Sequence, residues 1–135
     1  MQLQPIIEQL EASGLPQEAL GVWRRERKLF GVPRPPVIDP VGHAWRLGAL
    51  LIDRNGTLYS TGKLTRAMVP KDFNADKSLA GEAHREIQRA AARGAFRAGE
   101  SVNYEWTQLT PDEAEALIAP VPLQTYVAER LALLD

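Results

Sequence analysis

The stretch Ala44-Trp45-Arg46-Leu47-Gly48-Ala49-Leu50-Leu51-Ile52-Asp53-Arg54-Asn55-Gly56-Thr57-Leu58-Tyr59-Ser60-Thr61-Gly62-Lys63-Leu64-Thr65-Arg66 decides the fold. An apolar run, Ala44 to Asp53, precedes a Thr- and Tyr-rich run, Thr57 to Arg66. Between them stands Arg54-Asn55-Gly56. Asn-Gly between apolar runs is the strongest short-range hairpin signal, because both residues tolerate positive φ. A two-residue Asn55-Gly56 loop sets Arg54 opposite Thr57, Ile52 opposite Tyr59 and Leu47 opposite Leu64. One face then carries Trp45, Leu47, Ala49, Leu51, Leu58 and Leu64, and is expected to form the core. The other carries Leu50, Ile52, Tyr59, Arg46, Lys63 and Thr65.

Upstream, Pro5 to Ala12 reads as a short helix with Ile6, Ile7 and Leu10 on its apolar side and Ser13-Gly14 as its stop. Pro16 to Phe30 reads as a second helix, with Ala19, Val22, Trp23 and Phe30 as its stripe. Four prolines make Val32 to Pro40 an extended connector. Downstream, Met68 to Lys77 is polar and reads as a loop. Ser78 is a candidate N-cap for an amphipathic helix through Arg93, ended by Gly94, with Leu79, Ala83, Ile87 and Ala90 or Ala91 on its apolar stripe. Ser101 to Leu109 alternates as one half-buried strand, with Val102, Tyr104 and Trp106 inward. Thr110-Pro111-Asp112-Glu113 spells a capping box, opening a helix that stops before Pro120. Leu123, Val127, Leu131 and Leu134 set a final helix over 123–134.

The expected fold class is α+β: a small, mainly antiparallel sheet built on the Asn-Gly hairpin, with the central amphipathic helix and N- and C-terminal helices packed on it. At 135 residues one domain is expected: helices in 1–31, a Pro-rich connector in 32–43 and a sheet–helix body in 44–135. The chain is 44% hydrophobic and 24% charged, which excludes disorder and argues against a membrane span. It has no cysteine, so disulfide scaffolds, thiolate metal sites and cysteine nucleophiles are excluded. A net charge of −1 supplies no global attraction to nucleic acid. Met1 is followed by no basic and apolar leader, so the expected location is cytoplasmic.

Few residues suggest chemistry. Ser60-Thr61-Gly62-Lys63 matches S-x-x-K, but on a strand period two sends Ser60 and Lys63 to opposite faces. Asp53-Arg54-Asn55-Gly56 opens like a calcium loop, yet Leu64 stands where the closing glutamate belongs. His84 has Glu82, Glu86, Asp72 and Asp76 nearby in sequence, a carboxylate-rich set with one imidazole; the simpler reading is a surface histidine on a charged helix. No metal and no cofactor is expected. Arg24, Arg25, Arg27 and Lys28, with Arg34 and Arg46 further on, form a basic cluster. On the expected second helix Arg24, Arg27 and Lys28 share a side, more simply read as a solvated face than as a nucleic-acid site.

Arg85-Glu86-Ile87, after a hairpin and a loop, resembles the start of the Nudix hydrolase helix, R-E-x-x-E-E, whose glutamates bind magnesium. Arg89 and Ala90 stand at the metal-binding positions, so the resemblance implies a shared sheet–helix shape without its catalytic part. His43 to Gly48, Leu50-Leu51, Leu58 to Gly62 and Thr65-Arg66-Ala67 resemble a family of small actinobacterial proteins. The likeness continues through Arg85-Glu86, Ala90 to Gly94 and Gly99 to Asn103, and spans about residues 20–105. Some members carry a glutaminase label. The serine–lysine glutaminases are much longer and keep S-x-x-K at a helix start, so this resemblance implies lineage and no mechanism.

Two functions follow from the residues. The first is a non-catalytic cytoplasmic protein that binds a ligand or partner. Its exposed sheet edges predict a homodimer. The second is a small hydrolase with a shallow polar site between the hairpin, the 68–77 loop and the central helix. Arg66, Glu82, Arg85 and Glu86 would form its polar set. The first is favoured because no nucleophile–base–orienter set can be assembled.

Overall fold

A computed structural model describes residues 3–24, 28–29, 31–71 and 78–133, with Lys28, Leu29 and Pro33 described by their backbone alone. In chain order its elements are α1 (Gln4–Ser13), β1 (Glu18–Arg24), β2 (Lys28–Leu29), β3 (Val32–Pro33), β4 (Val37–Leu47), β5 (Leu50–Ile52), β6 (Leu58–Ser60) and β7 (Lys63–Arg66). They continue with α2 (Leu79–Arg93), β8 (Ser101–Tyr104), β9 (Thr107–Leu109), α3 (Pro111–Ile118) and α4 (Leu123–Ala132). The fold is α+β: among the described residues, four helices and a seven-stranded, mostly antiparallel sheet in which β1 pairs parallel with β8. β2 and β3 form a separate two-stranded ribbon. No helix of the described residues is long and apolar enough to cross a membrane. The chain divides into two compact units: residues 1–18, 43–62 and 106–135, and residues 19–42 and 63–105.

The first unit carries strands in the order β4-β5-β6-β9 with α1, α3 and α4. Its core joins Ile6, Ile7 and Leu10 of α1 to Trp45, Leu47, Leu50, Ile52 and Leu58 of the sheet. Ala114, Ile118, Leu123, Tyr126 and Val127 of α3 and α4 complete it. α1 ends as expected, with Gly14 in the left-handed region at φ 73. The Thr110 capping box forms in full. In α4, Val127 is fully buried and Leu131 packs against the core; Leu134 lies outside the described residues.

The hairpin differs from its expected form. The apolar run breaks at Gly48, where Leu47 pairs with Leu50 across a two-residue Gly48-Ala49 turn. Gly48 has φ 62, the positive value that a tight hairpin turn demands of its first central residue. The Asn55-Gly56 two-residue loop is not formed. Leu51 faces Tyr59 and Ile52 faces Leu58, a slip of one residue from the expected register. Asp53 N donates to Thr57 O and Gly56 N to Asp53 O, closing a three-residue turn. Asp53 Oδ1 drives it by accepting from both Asn55 N and Thr57 N at 2.9 Å. The Gly48-Ala49 turn sets Trp45 opposite Ile52 and Leu47 opposite Leu50, so Leu50 and Ile52 join Trp45 and Leu47 on the core face. Leu51 is fully buried as well but lies outside that cluster, and Leu64, expected in the core, is 48% exposed.

The second unit carries strands in the order β7-β8-β1-β4 with α2. Its core is small-residue rich: Ala19, Ile38, Ala67, Ala90, Ala91, Val102 and Tyr104, with Ile87 and Phe96 against it. Within the helix expected over 16–30, residues 18–24 form strand β1 and 28–29 form β2, while 25–27 and Phe30 lie outside the described residues. Ala19, Leu20 and Gly21 are buried in succession, and Gly21, a poor helix former, is what the strand needs. A Cβ there would lie 2.5 Å from Ile38 Cγ2 and 2.9 Å from Val102 Cγ1. Part of the Pro-rich connector is likewise strand, in β3 and the start of β4. The single strand expected over 101–109 is two, β8 and β9, broken at Glu105, which adopts φ 56. α2 begins at Ser78, whose hydroxyl accepts from Gly81 N at 3.0 Å. Of its expected stripe, Ile87, Ala90 and Ala91 pack inward, whereas Leu79, 92% exposed, and Ala83 do not, and Arg85 is buried.

Candidate functional site

Glu82, Arg85 and Glu86 all lie on α2, and Arg66 ends β7. Spacing of three residues along a helix brings side chains onto one face. Arg85 Nη2 donates to Glu82 Oε2 at 2.6 Å. Arg89 Nη1 lies 3.6 Å from Glu82 Oε1 and also pairs with Glu86. The arginines hold the Glu82 carboxyl below the usual carboxylate range, chiefly through the Arg85 hydrogen bond. Arg85 is the buried member, its side chain 10% exposed against 55% for Glu82. The Arg85 side chain is thus mostly withdrawn from water while its carboxylate partner is more than half exposed.

Arg66 does not join them. Thr65 pairs with Val102, and Val102 with Ala19, and both partners belong to the core packed against α2. Successive strand residues point to opposite faces, so Arg66 points to the face away from α2. The structure thus brings together Glu82, Arg85 and Glu86 and leaves Arg66 across the sheet.

The other candidates are also placed. Ser60 ends β6 and Lys63 opens β7, so they do not share a strand. Lys63 Nζ pairs with Glu105 Oε2 at 3.1 Å, and that hydrogen bond raises its pKa. Asp53 is engaged in its turn and accepts a hydrogen bond from the Tyr59 hydroxyl at 2.9 Å. His84 is exposed on α2. Asp72 and Asp76 lie outside the described residues, and no three histidine, aspartate or glutamate side chains of the described residues are grouped to hold a metal ion. Arg24 sits on a strand, so the helical side it was to share with Arg27 and Lys28 does not exist. Arg25 and Arg27 lie outside the described residues. Arg24 forms a two-pronged pair with Asp39 at 2.6 and 2.8 Å, and Arg46 pairs with Glu18 at 2.9 Å.

The tryptophans separate by exposure. Trp45 is buried and donates Nε1–H to Leu15 O at 3.0 Å. Trp106 meets the Tyr59 ring edge-on at 5.0 Å. Trp23 is 39% exposed, with Tyr104 edge-on at 5.9 Å. Two concavities in the first unit escaped the sequence reading. One, of about 470 Å³, is lined by Thr57, Leu58, Gln108, Leu109, Pro111 and Glu113, among others. The other, of about 560 Å³, is lined by Gln9, Ser13, Leu15, Pro16 and Leu131, among others. Their walls come from segments distant in sequence, so no local motif announces them. No protein family, curated protein or solved structure matches the chain.

Proposed function

We propose that this protein is a soluble, cytoplasmic, non-catalytic binding protein of bacterial origin that works as a homodimer. The lineage proposed is the family of small actinobacterial proteins that residues 20–105 resemble. The carrying observation is the state of the candidate polar set. Glu82, Arg85 and Glu86 are engaged along one helix face with Arg89, and Arg66 lies on the opposite face of the sheet. A hydrolytic site needs convergent groups with one free to act as base or nucleophile, and that requirement weighs against the hydrolase alternative. The dimer reading is supported by a sheet that ends in β7 on one side and β9 on the other. An edge strand presents unpaired backbone donors and acceptors that another chain can use.

A thermal-shift screen against nucleotides, amino acids and divalent metals tests the binding reading, since any ligand preferring the native state raises the apparent melting temperature. The expected result is a concentration-dependent rise with one ligand class, together with a dimer in sedimentation. Turnover of ester, amide or phosphate substrates that Glu86→Gln abolishes would overturn the non-catalytic reading.

A further inference from the structure

We infer that the free edge of β9 pairs antiparallel with the β9 edge of a second copy of this chain. The inference rests on the homodimer reading and specifies the surface that makes it. Among the described residues, β9 is hydrogen-bonded to β6 on one side, Leu109 opposite Leu58 and Thr107 opposite Ser60, and closes the sheet on the other.

The two ends of the sheet differ in charge. β7 reads Lys63-Leu64-Thr65-Arg66. Two such edges laid antiparallel about their centre set Lys63 of one copy opposite Arg66 of the other. Like charges directly opposite are destabilising, and edge lysines are a common device against such pairing. β9 reads Thr107-Gln108-Leu109 and carries no charge and no proline. Two copies centred on Gln108 set Gln108 opposite Gln108 and Thr107 opposite Leu109. A primary amide carries both donors and an acceptor, so the central pair is self-complementary, as a two-fold contact requires. Thr107 and Gln108 are exposed and Leu109 is half-buried. A three-residue ladder makes few bonds, so the association is expected to be weak and visible only across a concentration series.

The test is sedimentation velocity across a concentration series on the full chain, on Gln108→Lys, on Gln108→Glu and on an equimolar mixture of the two variants. Gln108 is exposed, so both variants keep the parent's circular dichroism and melting temperature. Each variant alone sets like charges opposite and raises the dimer dissociation constant at least about tenfold, and the mixture restores dimerisation. A dimeric parent whose two variants associate as tightly overturns the β9 contact and leaves the homodimer standing. A monomeric parent removes both.

Discussion

Gly94 is the position where the packing of α2 against its strands is most sharply testable. Its backbone, at φ −79 and ψ 174, is open to any residue, so no conformational demand explains the glycine. Space does: a Cβ built there lies 1.9 Å from the Ile38 carbonyl oxygen and 3.0 Å from Phe96 Cε2. Ordinary carbon–oxygen contact is about 3.3 Å, so Gly94→Ala must open the helix end from β4 by more than about 1 Å. The obstacle is backbone, which cannot rotate away like a side chain. Overpacking of this kind costs about 3 kcal/mol, and at this chain length each kcal/mol moves the melting temperature by about 3–5 °C. Gly94→Ala is therefore expected to melt about 9–15 °C below the parent. Gly99→Ala supplies the contrast. Gly99 has φ 79 and nothing within 4 Å of its Cβ, so only the left-handed conformation is penalised, at about 1 kcal/mol. Thermal and urea denaturation of both variants read the difference. A Gly94→Ala protein melting within about 2 °C of the parent, or above Gly99→Ala, refutes the close approach.

Thr110→Ala removes the hydroxyl that accepts from Glu113 N at 3.1 Å and is expected to cost about 1 kcal/mol in urea denaturation, with Thr110→Ser near the parent. Tyr126→Phe leaves Ala49 N–H without the hydroxyl it reaches at 2.9 Å; a loss of about 1–2 kcal/mol is expected, and faster amide exchange at Ala49 checks its origin. Burial, followed by Asp53, pushes the Tyr59 hydroxyl up to about 12, against an ordinary value of 10.0. The folded state then holds this proton longer than the unfolded state, so the associated stability is fully present below pH 10 and lost as pH rises through about 12. Tyr59→Phe should flatten that alkaline limb and remove one late phenolate step from an absorbance titration. An unchanged titration would show that Tyr59 is not the late group.

What the sequence made legible was local. The Ser78 cap, the Thr110 capping box and the Gly14 stop each depend on residues within a few positions, and each forms. The failures needed information from elsewhere in the chain. Gly48 and Asn55-Gly56 were both available as turns, and Asp53 took both backbone amides that force a three-residue loop at the second. β1 was read as helix from its apolar spacing, and the closeness of Ile38 and Val102 that only Gly21 tolerates comes from distant segments. The stripe of α2 was read from apolar spacing, which places Arg85 on the wet side. Ile87, Ala90 and Ala91 do meet the core, but Leu79 and Ala83 stay exposed and the Arg85 side chain is only 10% exposed. The candidate site suffered the same limit. Its helical members were legible as possible i,i+3 pairs, whereas the face of Arg66 depended on a strand register that only Val102 and Ala19 reveal.

Charge balance on α2 bears on what its exposed face can bind. Glu82 and Glu86 face Arg85 and Arg89, two carboxylates against two guanidiniums, while Arg93 donates to Pro36 O at 3.0 Å. An incoming anion must compete with Glu82 for Arg85, and an incoming cation must compete with Arg89 for Glu86. Exposed pairs are individually weak, so competition is affordable in energy but unselective. Arg85 differs in that its side chain is only 10% exposed, so a newcomer competes with Glu82 for little accessible surface. A ligand recognised on this helix is therefore expected to carry a planar, two-oxygen anionic group able to replace a carboxylate.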